Sequence, residues 1–558
     1  MFKPPYNRVS HSGASMSSAN NAQHHTAVGN VSAQQLKSML HDGAEIAVLD
    51  VREEGVFAKC HLLLAASAPL SRLEMRVPLL VPRRTTRVVI CDGGEGLAQR
   101  AADKLARYGY SDVTVLAGGV AAWAERGYEV YSGVNVPSKA FGEFVEHHDN
   151  TPRMSAEEVK ARLDAGENVV ILDSRPLAEY RNMSIPGGID CPGAELVYRV
   201  HDLVRSPGAL VVVNCAGRTR SIIGAQSLLN AGIPNRVVAL KDGTMGWHLA
   251  GYELAHEQHM LAPPPSQLGL AKGRHAAARV ARRFGVRTID VATVTSFARE
   301  MAQRTLYLFD VRSPEEYGAG HLHSTVNAPG GQLVQTTDAF AATRNARIVL
   351  IDDNGVRATM TASWLIQMGW NDVFVVKDAL ESGPLLQGQP APQLLGPKRA
   401  RCTFIRAQDL KLELEDGNAT VIDFETSLRY RDGHIPGAWF AIRANLAHNL
   451  EQIPDAKPLV LASPDGIIAQ LAAPEAARLT KTPIKVLQGG TNSWRAAGLP
   501  LETGMTRLAD TTDDVRYRPY DRTDNVEEAM KDYLTWEVNL VKQIERDDDV
   551  NFRTFLRR

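Results

Sequence analysis

The 558-residue chain is expected to be an α/β protein built from four tandem modules, each a small doubly wound parallel sheet flanked by helices. Two observations predict this class. Apolar, β-branched runs end in Asp four times, at Asp50-Val51-Arg52, Asp173-Ser174-Arg175, Asp310-Val311-Arg312 and Asp423-Phe424-Glu425. Helical stretches alternate with these runs, and that alternation implies parallel strands joined by crossover helices. A fixed internal period is sharper than the prior from length, which suggests about three to four domains.

The repeats stay in register after each Asp. Phe57, Tyr180, Tyr317 and Tyr430 each follow it by seven residues. Next come Cys60-His61-Leu62, Ser184-Ile185-Pro186, Gly320-His321-Leu322 and Gly433-His434-Ile435-Pro436-Gly437-Ala438. The modules are placed at 30–133, 150–256, 286–382 and 401–504. Residues 1–29, rich in Ser, Asn, His, Ala and Gln without an apolar period, read as a disordered tail. The linker 257–285 contains Pro263-Pro264-Pro265 and a helical stretch bearing Lys272, Arg274, Arg279, Arg282 and Arg283. Such a stretch is most often a solvated face, with an anionic partner as the alternative. In the helical tail 505–558, residues 525–546 are amphipathic, with Met530, Tyr533, Trp536, Leu540, Val541 and Ile544 on the apolar side. This helix should pack on a neighbouring module or across a homodimer; a groove for an acceptor protein is the minority reading.

The run Cys215-Ala216-Gly217-Arg218-Thr219-Arg220-Ser221 carries the chemistry. Ala209 to Val213 reads as a buried strand and 222–229 as a helix, so the thiol falls where a strand end meets a helix start. Unpaired backbone N–H groups and the helix dipole meet it there, and Arg218 and Arg220 add charge. All three favour thiolate, the nucleophilic form, and the loop can cradle an oxyanion.

This loop resembles the active-site loop of the rhodanese family of sulfurtransferases. Upstream, Asp173-Ser174-Arg175, Glu179-Tyr180 and Ile185-Pro186-Gly187-Gly188 resemble that family's opening motif, although Met183-Ser184 replaces its Gly-His. Downstream, Asp242-Gly243 and Trp247 resemble its closing Gly-Gly and Trp. The resemblance implies four tandem rhodanese-like domains of a bacterial type. It also implies a Cys215 persulfide as the carrier of the sulfane sulfur of thiosulfate. Cys215 is then the catalytic nucleophile, and Arg218 and Arg220 hold the sulfonate with Ala216, Gly217, Thr219 and Ser221. The acceptor would be a thiol, cyanide or an acceptor protein. No cofactor and no metal are expected.

The other loops look disabled. Module one has Cys91-Asp92-Gly93-Gly94-Glu95-Gly96, a second candidate thiol flanked by acids that oppose ionisation. Module three places Asp352 at the nucleophile position and keeps Arg357, and module four offers Ala462 or Ser463. Asp173, Arg175 and Glu179 are expected to form a structural ion-pair set, and His321 and His434 to cap or pack.

Composition narrows the class further. With 62 Lys and Arg against 63 Asp and Glu, the formal charge of −1 gives no bulk case for nucleic-acid binding. No run of about 18 apolar residues implies a membrane span, and the N-terminus lacks the core of a signal peptide. Five cysteines (60, 91, 191, 215, 402) without C-x-x-C spacing fit a reducing cytoplasm rather than a disulfide framework or zinc site. The His24-His25 pair has no further ligands to make a metal site. Two alternatives remain: a persulfide- or redox-sensing docking scaffold, and a 3-mercaptopyruvate sulfurtransferase. Cysteine phosphatases of related folds place five spacers between Cys and Arg, whereas Cys215 to Arg220 has four.

Overall fold

The computed structural model describes residues 28–396, 402–454 and 457–555. Module two shows the common plan. Its strands lie in the order Arg153–Met154, Arg236–Leu240, Leu210–Asn214, Val169–Asp173, Ile189–Asp190, all parallel. The central strand Leu210–Asn214 is buried along its whole length, because crossover helices cover both faces of the sheet. Modules three and four repeat the order with five parallel strands each. Module one repeats it too, then gains an antiparallel edge: Thr343–Arg344 of module three pairs with Ile46–Asp50. The α/β class with four parallel sheets is therefore as the sequence predicts, this one foreign strand apart.

Each strand-end Asp anchors the turn that follows. In module two both oxygens of Asp173 accept from Arg175, at 2.8 and 2.7 Å, and Arg175 Nη2 also donates to the Met183 carbonyl at 2.6 Å. Arg52 with Asp50 and Arg312 with Asp310 make the same clamp. In module four, Glu425 replaces the arginine, and burial beside that second acid pushes the Asp423 carboxyl up to about 7. His321 and His434 stack on Tyr317 and Tyr430 and hydrogen-bond their carbonyls through Nδ1, a packing role. In module two Ser184 takes that place and bridges to Ala255.

Besides the strand shared by modules one and three, ion pairs join module one to module four. Arg443 of module four reaches Glu74 and Glu475, and Lys104 of module one reaches the same two acids. One apolar core runs across modules one and four. Modules two and three share another through the helix Gln267–Phe284, capped by Ser266 and ended by Gly285 at φ 67°. Its buried stripe runs Gly269, Gly273, Ala276, Ala277, Val280 and Phe284, and the small residues of its first three turns let two helices approach closely. Its basic residues lie on the other side, where Arg279 and Arg283 tie back to Ala231 and Asn230 of module two. That is the solvated-face reading of the basic stretch.

The tail helix Val526–Ile544 lies on Val136–Asp149, the helix joining modules one and two, so it packs within the chain. Gly29 opens the strand Gly29–Val31 rather than ending a disordered tail; residues 1–27, with His24-His25, lie outside the described residues. Among the described residues no helix is long and apolar enough to cross a membrane.

Candidate active site

Cys215 follows the last residue of Leu210–Asn214, and the helix Thr219–Ala231 begins four residues later. Its carbonyl is held by two bonds from Thr244, N–H and Oγ1–H, each at 2.8 Å. Those bonds need Gly243 (φ 58°), because a side chain there would collide with the Cys215 carbonyl oxygen. The Ser221 N–H points at the sulfur, and the Ser221 hydroxyl donates to the Arg218 carbonyl at 2.7 Å. Cys215 is 2% exposed.

The same position in the other modules is fixed by strand register, and register moves one residue. Asp173 pairs with Asn214, Asp50 with Cys91, Asp310 with Ile351 and Asp423 with Ala462. The partner of Cys215 in module one is therefore Asp92, not Cys91. Cys91 ends its strand, fully buried beside Asp50, and desolvation pushes its thiol well above the usual value. The expectation of a second loop thiol is corrected. In module four the matching residue is Ser463, and in module three it is Asp352.

All four side chains at this position face the N–H six residues on. Asp92 Oδ2 accepts from Ala98 N–H at 2.9 Å, Asp352 Oδ2 from Ala358 N–H at 3.0 Å, and Ser463 Oγ from Ala469 N–H at 3.3 Å. The first two also take a second loop N–H, from Gly94 and Gly355. Built-in carboxylates thus fill the anion cradle in modules one and three. Only in module two does this cradle hold a thiol.

The two arginines divide. Arg218 donates through Nε and Nη2 to both oxygens of Glu143 at 2.7 Å, through Nη2 to Glu146 at 2.6 Å and through Nη1 to Asp242 at 3.2 Å. Every nitrogen is taken by a carboxylate, so the expected grip of Arg218 on a sulfonate is corrected: it locks the loop to the linker helix. Gly142 of that helix permits the contact, since a Cβ would press on Thr219. Arg220 instead pairs with Glu179, at 3.0 and 2.7 Å, on the wall of a cavity of about 480 Å³ that also reaches Ala216. Glu179 thereby leaves the expected strand-end set and joins the site. Met245, Tyr533 and Glu537 close over Gly217, where a Cβ would lie 3.0 Å from Glu537 Oε2. Glu537 Oε1 accepts from Thr219 and Tyr533, while its Oε2 is buried without a partner.

These contacts reverse one electrostatic expectation. Burial pushes the Cys215 thiol above its ordinary value, Glu537 adds to the rise, and Arg220 with the Ser221 groups only partly opposes it. Both arginine charges are matched by carboxylates that the loop alone does not reveal. Glu143, Glu146 and Glu537 lie outside the repeated motifs; the tail helix that carries Glu537 shows its amphipathic pattern in the sequence, whereas Val136–Asp149, which carries the other two, is not singled out there.

A profile of the rhodanese-like domain matches residues 32–126, 155–250, 293–382 and 406–497. The chain belongs to the rhodanese family. A crystal structure of a thiosulfate sulfurtransferase from Pseudomonas aeruginosa superposes with a TM-score of 0.90 at 47% identity, covering 95% of this chain and all of that one. A Bacillus subtilis protein, YrkF, named as a sulfur carrier, is 23% identical over 193 residues, 33% of this chain and 97% of its own length.

Proposed function

We propose that this protein is a thiosulfate sulfurtransferase in which Cys215 carries the sulfur. The Cys215 thiolate attacks the outer sulfur of thiosulfate. The S–S bond of the donor breaks, sulfite leaves with the bonding pair, and a Cys215 persulfide remains. A thiolate or cyanide then attacks the outer persulfide sulfur, restoring the Cys215 thiolate. The N–H of Ser221 and its neighbours in the loop stabilise the anionic sulfur, and Arg220 adds a favourable positive charge.

The observation that carries this reading is the occupancy of the four cradles: carboxylate, thiol, carboxylate and hydroxyl, in module order. One module of four can form a persulfide. The name of the Pseudomonas aeruginosa relative supports thiosulfate as donor. The free state of all five cysteines supports a cytoplasmic setting.

Thiocyanate formation from thiosulfate and cyanide tests the proposal. Wild type and Cys91→Ser should turn over, Cys215→Ser should not, and intact-mass spectra after thiosulfate should show one added sulfur on Cys215. Full activity of Cys215→Ser refutes the assignment, and faster turnover of 3-mercaptopyruvate than of thiosulfate refutes the donor.

A further inference from the structure

The cavity over the Cys215 loop is walled by the whole chain. Module two contributes Ala216 and Arg220, but Glu54 comes from module one, Gln332 from module three and Leu428 from module four. The remaining wall is the linker helix at Lys139 and the tail segment carrying Arg516 and Arg518. At about 30 Å³ for each water-sized group, the five heavy atoms of thiosulfate need roughly 150 Å³. The cavity, at about 480 Å³, has room for considerably more.

Its wall carries four cations, Lys139, Arg220, Arg516 and Arg518, against three acids, Glu54, Glu179 and Asp521. Among the described residues, Lys139, Arg516 and Arg518 make no ion pair with any carboxylate. The acids on the same wall are engaged elsewhere. Glu54 accepts from the Arg516 backbone N–H, Asp521 from the Arg518 backbone N–H, and Glu179 from Arg220. Arg516 instead lies over the rings of Tyr533 and Trp536, at 5.6 and 5.0 Å, and Lys139 over the same pair. Arg518 donates to the Tyr520 hydroxyl at 3.1 Å. Burial pushes both Arg516 and Lys139 below their ordinary values, with Glu537 partly opposing it, whereas Arg518, despite burial, is raised by Tyr520, Glu179 and Asp521. Cations that rest on aromatic rings, make no direct ion pair and outnumber the acids of the same wall suit an incoming anion.

We propose that this cavity is the site of the sulfur acceptor, a small thiol bearing a carboxylate or sulfonate that Arg516 and Arg518 hold. The inference rests on the sulfurtransferase reading of Cys215. The acceptor thiolate attacks the outer sulfur of the Cys215 persulfide, leaves as its own persulfide, and returns the electron pair to Cys215. The nearly complete burial of the sulfur favours a small molecule over a protein cysteine. The silent modules then have a role, as walls that select the acceptor.

Three two-carbon thiols that differ only in their far end separate the outcomes: 2-mercaptoethanesulfonate, 2-mercaptoethanol and cysteamine. The full-length protein is first loaded with thiosulfate, and the added sulfur is confirmed by mass. Its discharge is then timed with each thiol, normalised to thiolate concentration. The sulfonate should react at least about tenfold faster than the alcohol, and cysteamine slowest, the difference expected of one charge-assisted contact. In R516Q and R518Q the sulfonate-to-alcohol ratio should fall about tenfold. Equal rates for the three thiols in wild type overturn the proposal, as does faster discharge by reduced thioredoxin than by any small thiol.

Failure to load would refute the sulfurtransferase reading instead. The acceptor site is then still tested by titrating 2-(methylthio)ethanesulfonate, which cannot take sulfur, into the Cys215→Ser protein. Binding that weakens about tenfold in R516Q supports the site. No binding at millimolar concentration overturns it.

Discussion

Arg220 gives both terminal nitrogens to Glu179, at 3.0 and 2.7 Å, so the cation that favours the Cys215 thiolate is also half of an ion pair. Module three repeats this pair as Arg357 with Glu316, where no thiol exists. The pair thus belongs to the scaffold of the module, and in module two the thiol has been placed beside it.

Altering that pair should move the thiol in both directions. Glu179→Gln leaves Arg220 uncompensated, so the Cys215 pKa should fall and iodoacetamide alkylation at neutral pH should quicken. Arg220→Ala removes the positive charge, so the pKa should rise. It should also cut kcat/KM for thiosulfate about ten- to a hundredfold, the range for a charge-assisted contact. Alkylation rate against pH checks the sign for both variants.

Arg218→Ala should be chiefly a stability defect. It strands Glu143, which is buried, and Glu146 without their cation, a loss of about 3–5 kcal/mol for a broken buried pair. The double variant Arg218→Met with Glu143→Met should recover much of that loss. Denaturant midpoints measure both, and a single variant as stable as wild type would remove the structural role.

The raised thiol predicts an alkaline dependence. Because Cys215 sits above its ordinary value, most of it is protonated at neutral pH, and kcat/KM for thiosulfate should climb about tenfold per pH unit toward that pKa. Glu537 contributes to the rise, so Glu537→Gln should shift the limb to lower pH. An unchanged limb would show that burial alone sets it.

In module three, Asp352 fills the cradle and Arg357 is divided among Glu195, Glu316 and Asp353. Asp352→Cys in a Cys215→Ser background should therefore give little sulfur transfer. Adding Asp353→Asn frees part of the Arg357 charge and should lower the new thiol's pKa. Alkylation profiles compare the two; a single Asp352→Cys variant that turns over thiosulfate would show that the missing thiol was its only defect.

The features legible in the sequence are those that repeat locally. Four Asp-ended apolar strands, the aromatic seven residues on and the Cys215 loop are short-range patterns, because strand burial and helix starts follow from a few adjacent side chains. A loop sequence carries no register, so Cys91 reads as the counterpart of Cys215 there; only the pairing of Asp50 with Cys91 and of Asp173 with Asn214 shows that Asp92 stands in the place of Cys215. The sign of the thiol's pKa and the loss of Arg218 to Glu143 were likewise decided by tertiary structure. Burial by the folded chain raises the thiol, with Glu537 of the tail helix, more than 300 residues away, adding to it, and the acid that holds Arg218 lies about 70 residues away in the linker helix. Charge acts through space, and a chain that folds four modules around one loop brings to it carboxylates and arginines that no local motif contains.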